Sequence, residues 1–267
     1  MKNILLLVHD DLGQEARLQA ALDIGRALGG HIHCLAVTPI PIAADTPTWT
    51  FGAGILFQDA REREAVNKAQ LQERLGHEDV PWSWTDVVGD LGRALKLAST
   101  FADLIVVNRE LTAFPDPDMR ATARELILHT RRPVLAVPDD MRGFDVFGHV
   151  LVAWDGSGPA TAAMMAAIPL LGRAAGTTLL QIGDVPPETP AEEAATYLAR
   201  HGVTARIVHE TDPGLPIGDL LLKAVEAQRP AYVVMGGYGY KRAIDVLLGG
   251  ATRTMLKQSP VPMLLAH

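Results

Sequence analysis

One cysteine, Cys34, occurs in 267 residues. No disulfide can therefore close within the chain, and a reducing compartment is expected. There is no lysine or arginine block, and the formal net charge is −7, so the basic footprint of a nucleic-acid binder is missing. No uninterrupted apolar stretch approaches the length of a membrane span. After Lys2 the apolar run Ile4–Val8 ends at once in His9-Asp10-Asp11, too short for a signal peptide. A cytoplasmic protein with neither membrane nor nucleic acid as partner is the expectation. Gly-Lys is absent, which excludes a Walker P-loop, and neither G-x-G-x-x-G nor G-x-S-x-G occurs. His31, His33 and Cys34 are metal-ligand types. On a strand, however, Cys34 points away from both histidines, and no third ligand joins them, so no metal site is expected.

Glycine is what the chain has, and in one place above all. Met235–Thr252 reads M-G-G-Y-G-Y-K-R-A-I-D-V-L-L-G-G-A-T, with the spacing Gly236-x2-Gly239-x9-Gly249. The apolar run Tyr232–Met235 precedes it and a helical pattern follows. Glycine lets a backbone approach a phosphate with no Cβ in the way. A helix start then adds unpaired N–H groups and the positive end of the helix dipole. Taken alone, the same glycines could simply make a turn and a helix cap.

The chain also repeats itself. Asn3–Val8 followed by His9-Asp10 matches His149–Ala153 followed by Trp154-Asp155, each leading into a helical pattern. Leu18, Ala21, Leu22 and Leu28 make one helical face in the first half; Ala163, Ala166, Ala167 and Leu170 make another in the second. Pro159 suits a first helical turn, whereas Pro169 predicts a kink or an early end. His31–Val37 pairs with Thr177–Ile182, Ala102–Val107 with Ala231–Met235, and Arg132–Pro138 with Val261–Ala266; helices are predicted over Met119–Thr130 and Gly249–Gln258. Each half reads βαβαβαβαβ, which predicts an α/β fold of two repeated, open, doubly wound parallel-sheet domains. Ligands in such sheets bind beyond the carboxyl ends of the strands. The seam is expected within Asp139–Asp145, giving domains 1–143 and 144–267. The apolar strands Val134–Val137 and Met263–Ala266 would leave open edges, so they are predicted to pair across the seam or with another chain. Thr38–Phe57 has no counterpart after Gly183 and is expected to be an ordered flap, an interface arm or a packed surface loop.

With both halves in view, nearly the whole chain resembles the universal stress protein family in its tandem form. The features that carry the resemblance are the glycine loop, Asp155 within A-W-D-G-S, and the C-terminal V-P-M-L-L strand. The family pattern is G-x2-G-x9-G-(S/T); here Gly250 replaces the hydroxyl residue, which shifts that contact to Thr252 or removes it. The resemblance implies a Rossmann-like, adenine-nucleotide-alpha-hydrolase-like fold that binds ATP or AMP, with or without Mg2+. It implies Gly236, Gly239, Gly249 and Gly250 at the phosphates, Asp155 near the ribose and adenine edge, and Ala153, Trp154, Ile182, Met235 and Ala251 around the base and ribose. Lys241 and Arg242 are the loop's cations.

In the first half, Asn108 to Asp118 carries prolines and acids, and no glycine occurs from Arg93 through Arg142. Its cradle is expected to be lost, with Asp10 remaining after the first strand. Three function classes stay open: a nucleotide-binding stress regulator read by a protein partner, a slow phosphate-transferring or ATP-hydrolysing enzyme, and a scaffold for another ligand. No catalytic residue is assigned, and a homodimer is open.

Overall fold

The computed structural model describes residues 1–38, 49–109, 119–183, 189–211, 214–237 and 250–267. Chain order in the first half is β1 (Asn3–Val8), α1 (Gln14–Leu28), β2 (His31–Thr38), α2 (Trp49–Leu75), β3 (Trp82–Val88), α3 (Leu91–Ala98), β4 (Leu104–Asn108), α4 (Met119–His129) and β5 (Val134–Val137). The second half follows the same plan: β6 (His149–Trp154), α5 (Gly158–Leu171), β7 (Gly176–Ile182), α6 (Ala191–Arg200), β8 (Ala205–Glu210), α7 (Ile217–Gln228), β9 (Tyr232–Gly236), α8 (Ala251–Gln258) and β10 (Met263–Ala266).

All the strands among the described residues join one ten-stranded sheet in the order β3-β2-β1-β4-β5-β10-β9-β6-β7-β8. Pairing is parallel within each half and antiparallel at one place, where β10 meets β5. There Leu264 lies opposite Leu135, and Leu265 opposite Val134. The two predicted edge strands thus cover one another. The halves have the same internal order, so the seam relates them by a local two-fold.

Continuous apolar runs make the central strands because helices bury both faces of the sheet. Ile4, Leu6 and Val8 face the layer that contains α1, while Leu5 and Leu7 face the layer that contains α3 and α4. Cys34 lies in the first of these layers, and burial pushes its thiol pKa up to about 12. His31 and His33 sit on the other side of β2 and hydrogen-bond Ser83 and Thr85 of β3. The outermost strands β3 and β8 mix half-buried and exposed positions, and the sequence shows no apolar run there.

Two expectations change. Residues 49–57, assigned to a loop-like insertion, form the first turns of the 27-residue helix α2; residues 39–48 lie outside the described residues. Pro169 does not stop α5, which runs on to Leu171 and ends at Gly172. The segment between the halves is ordered: Phe144 donates its N–H to Asp23, is buried, and its ring meets Tyr232 at 4.9 Å.

The seam makes a quantitative expectation. Leu135→Ala and Leu264→Ala, both fully buried, should each cost about 2–5 kcal/mol in urea denaturation. Because the two residues are paired, the double variant should depart from additivity.

Candidate functional site

Within each half, the strand order reverses direction at its first strand. The switch points lie between β1 and β4 and between β6 and β9, where an open α/β sheet forms its ligand crevice. Backbone hydrogen bonds align the two places. Asp103 donates to Asn3 as Ala231 does to His149, and Arg109 donates to Val137 as Gly237 does to Ala266. Asn108 is therefore the counterpart of Gly236, and Arg109 of Gly237. Counting along β1 and β6, the residue that matches Asp155 is His9 and not Asp10.

The first crevice is filled from within. Arg17 of α1 has no solvent exposure. Its guanidinium donates to the Leu7 carbonyl at 2.9 Å, to both Asp11 carboxylate oxygens at 2.9 Å, to the His9 carbonyl at 3.2 Å and to the Asn108 side chain. The Asp11 carboxylate also accepts from Gly13 N–H at 2.8 Å, where α1 begins. A buried charge is tolerable when its donors are satisfied and an opposite charge is adjacent, and both hold here. Asn108 occupies the space that a side chain at Gly13 would need: a Cβ there would stand 2.4 Å from the Asn108 amide.

A second contact closes the same place from α2. His9 Nδ1 lies 2.5 Å from Glu64, and Asn67 and Gln14 exchange amide hydrogen bonds. Burial alone would lower the His9 pKa, but the hydrogen bond and charge of Glu64, with Asp11 adding, leave it raised despite Arg17. Burial works to raise the Glu64 pKa, yet the contact with His9 and the Asp10 N–H hold it below the ordinary value. Asp10 itself is exposed.

The second crevice is built differently. Side chain and glycine change places: Gly236 takes the position of Asn108, and Pro159 stands against it. A Cβ on Gly236 would fall 2.6 Å from the Ala160 nitrogen and 2.9 Å from the Pro159 carbonyl carbon. Close approach of the α5 start thus requires this glycine, independently of any ligand. The buried face of α5 is Ala160, Ala163, Met164, Ala167, Leu170 and Leu171, with no charge. Asp155 is exposed and accepts from Ser157 N–H at 3.0 Å; Ser157 caps α5 through Ala160 N–H. Gly250 is the exposed N-cap of α8 and supplies no side-chain acceptor. Buried Thr252 donates its hydroxyl to the Gly236 carbonyl at 3.4 Å, joining the first turn of α8 to the end of β9.

Four of the residues expected around the base and ribose, Ala153, Ile182, Met235 and Ala251, lie on the side of the sheet that carries α7 and α8. Trp154 does not join them. It is buried in the opposite layer and donates its indole N–H to the Thr189 carbonyl at 3.1 Å. The Thr189 hydroxyl in turn donates to Gly156. Trp154 therefore closes the sheet end, and its face is not presented for stacking. Gly239, Lys241, Arg242 and Gly249 lie outside the described residues. Arg17, Asn108, Glu64 and Thr189 were not expected. A lone arginine inside an apolar helical face, six residues after an aspartate, was the readable sign of the first network.

No family model matches the sequence, and no curated protein matches it either. Solved structures do match in fold. A universal stress protein from Archaeoglobus fulgidus DSM 4304 aligns with a TM-score of 0.73 and 17% identity, over 99% of this chain and 97% of that one. A protein from Pseudomonas aeruginosa UCBPP-PA14, provisionally described as a universal stress protein, gives 0.60 and 17%, over 100% and 93%. A functionally unknown protein from Pseudomonas aeruginosa PAO1 gives 0.59 and 18%, over 100% and 92%. The chain has the fold of these proteins over 99–100% of its length.

Two outcomes test the first-half network. Arg17→Met strands the buried Asp11 carboxylate and should cost about 3–5 kcal/mol of stability at neutral pH. The His9–Glu64 pair predicts a pH window. The His9 contribution is complete below its ordinary pKa of 6.5 and fades as pH rises through the raised folded value. The Glu64 contribution is complete above 4.5 and fades as pH falls through its lowered folded value. Glu64→Gln should therefore lose more stability at about pH 6 than at about pH 9 in urea titrations, and the His9 pKa should drop in NMR titration.

Proposed function

We propose that this chain is a tandem universal stress protein that binds one adenine nucleotide, ATP or AMP, in the crevice of its second half. The observation that carries the reading is the contrast between two equivalent places. In the first, Arg17, Asp11, Asn108 and the His9–Glu64 pair fill the switch point. In the second, the same position offers Gly236, exposed Asp155 and the N-cap Gly250 of α8. A helix that begins at a glycine, with no acid in its first turn, suits an anion.

In this reading the domains are 1–143 and 144–267. Ala153, Ile182, Met235 and Ala251 form the apolar side of the base and ribose site, and Asp155 accepts hydrogen bonds from hydroxyls. Gly236, Gly239, Gly249, Gly250 and Thr252 stand at the phosphates, and Arg242 neutralises charge. Mg2+ would travel with the phosphates. The protein acts by a shift between bound and free forms that a protein partner in the cytoplasm reads, as a stress-response regulator and not through turnover.

Calorimetric titration with ATP should give about one site per chain. Gly239→Val should remove most of the affinity, Asp155→Asn should weaken it, and Asp10→Ala should leave it unchanged. Gly236 is unsuitable for this test, because its packing against Pro159 and Ala160 would couple any substitution to stability. Two sites per chain, or no binding by the intact protein, would overturn the reading, and steady phosphate release would turn it toward an enzyme.

A further inference from the structure

We propose that Arg109, a residue of the first half, is a positioning residue for the phosphate end of the second-half site; this rests on the nucleotide reading above. Arg109 follows β4, and its N–H is held by the Val137 carbonyl of β5 at 2.9 Å. β5 is the strand that crosses the seam to β10. From that anchor the Arg109 guanidinium reaches into the other half. It donates to the Lys257 carbonyl at 2.8 Å and to the Leu256 carbonyl at 3.2 Å, the last turn of α8.

A cation at a helix C-terminus meets the unpaired carbonyls and the negative end of the dipole. What makes this contact more than a cap is the shortness of the helix. α8 has eight residues, about 12 Å of axis, and its other end carries Gly250 and Thr252. Thr252 fastens that first turn to Gly236. A change of tilt at Leu256 and Lys257 is therefore transmitted to the backbone N–H groups at Gly250 and Ala251 with no intervening hinge. Both ends of α8 are fixed, one by its own half and one by the other.

The local two-fold makes this device one-sided. The counterpart of Arg109 is Gly237, and the counterpart of α8 is α4. A Cβ on Gly237 would lie 2.4 Å from the Ile127 side chain of α4, so position 237 has no room for a counterpart of the Arg109 side chain. The half whose crevice is filled thus clamps the helix of the other half, and among the described residues position 237 offers no equivalent clamp in return.

The test compares ATP with adenosine on the full chain by calorimetry. Positioning of a phosphate-binding helix end predicts that Arg109→Met weakens ATP about tenfold and leaves adenosine within about twofold. Arg109→Lys, which keeps a donor and a charge, should restore ATP to within about threefold of the original. Arg109→Gln, which keeps a polar amide in the half-buried site, is read in place of Met should the methionine variant not fold. Unchanged ATP affinity in a folded Arg109→Met or Arg109→Gln protein overturns the proposal. So does an equal loss of ATP and adenosine, which would mark a structural role only. Failure of the unsubstituted protein to bind ATP defeats the nucleotide reading itself, and the two failures are distinct.

Discussion

The antiparallel contact of β5 with β10 is the constraint from which the rest follows. Each of these four-residue strands is apolar and buried, and each would be an exposed edge if its half stood alone. Pairing them makes one sheet and one pair of helix layers out of two repeats. It also brings β4 and its following residue close to the C-terminus of α8, the contact through which Arg109 acts. In a parallel junction the helix ends would not meet the strand ends in this way.

Within that frame the two halves solve one packing problem in opposite senses. At each switch point the start of a helix approaches the end of a strand, and there is room for a single side chain. The first half gives that room to Asn108 and keeps Gly13 bare; the second gives it to Pro159 and keeps Gly236 bare. The choice has an electrostatic consequence. Asn108 brings a polar amide inward, where Arg17 and Asp11 can complete a satisfied buried network. A proline on a helix start against a glycine brings no polar group inward and leaves the strand end available.

Much of the architecture was legible because the central strands are short apolar runs that recur at matching intervals: N-I-L-L-L-V with H-V-L-V-A, L-I-V-V with Y-V-V-M. The edge strands β3 and β8 were not, since one face of each is solvated and their sequences, W-S-W-T-D-V-V and A-R-I-V-H-E, carry polar residues throughout. The start of α2 was hidden by Trp49, Gly52 and Gly54, which read as loop residues although helical context overrides them. At the site, Ala153, Ile182, Met235 and Ala251 were named from the family resemblance; for the three on strands, alternation fixes which face of the sheet each meets. Trp154 fell on the other face by the same rule. The matching of Asp10 with Asp155 failed by one residue. Both are acids just after a strand, and only the hydrogen-bond register separates them. The Arg17 network joins α1 to the end of β4 across 91 positions, a contact with no local signature.

Joining two parallel half-sheets head to head has one more consequence. Because β5 and β10 run in opposite directions, the carboxyl ends of the first half's strands and those of the second lie on opposite margins of the common sheet. The two crevices therefore look away from each other. A molecule seated at the second has α8 and β9 beneath it, while the margin bearing α2 and the sealed first crevice is presented to a different region of solvent. Any partner that docks against α2 would sense the occupant of the far margin only by way of the sheet and the helices laid across it, never by touching it.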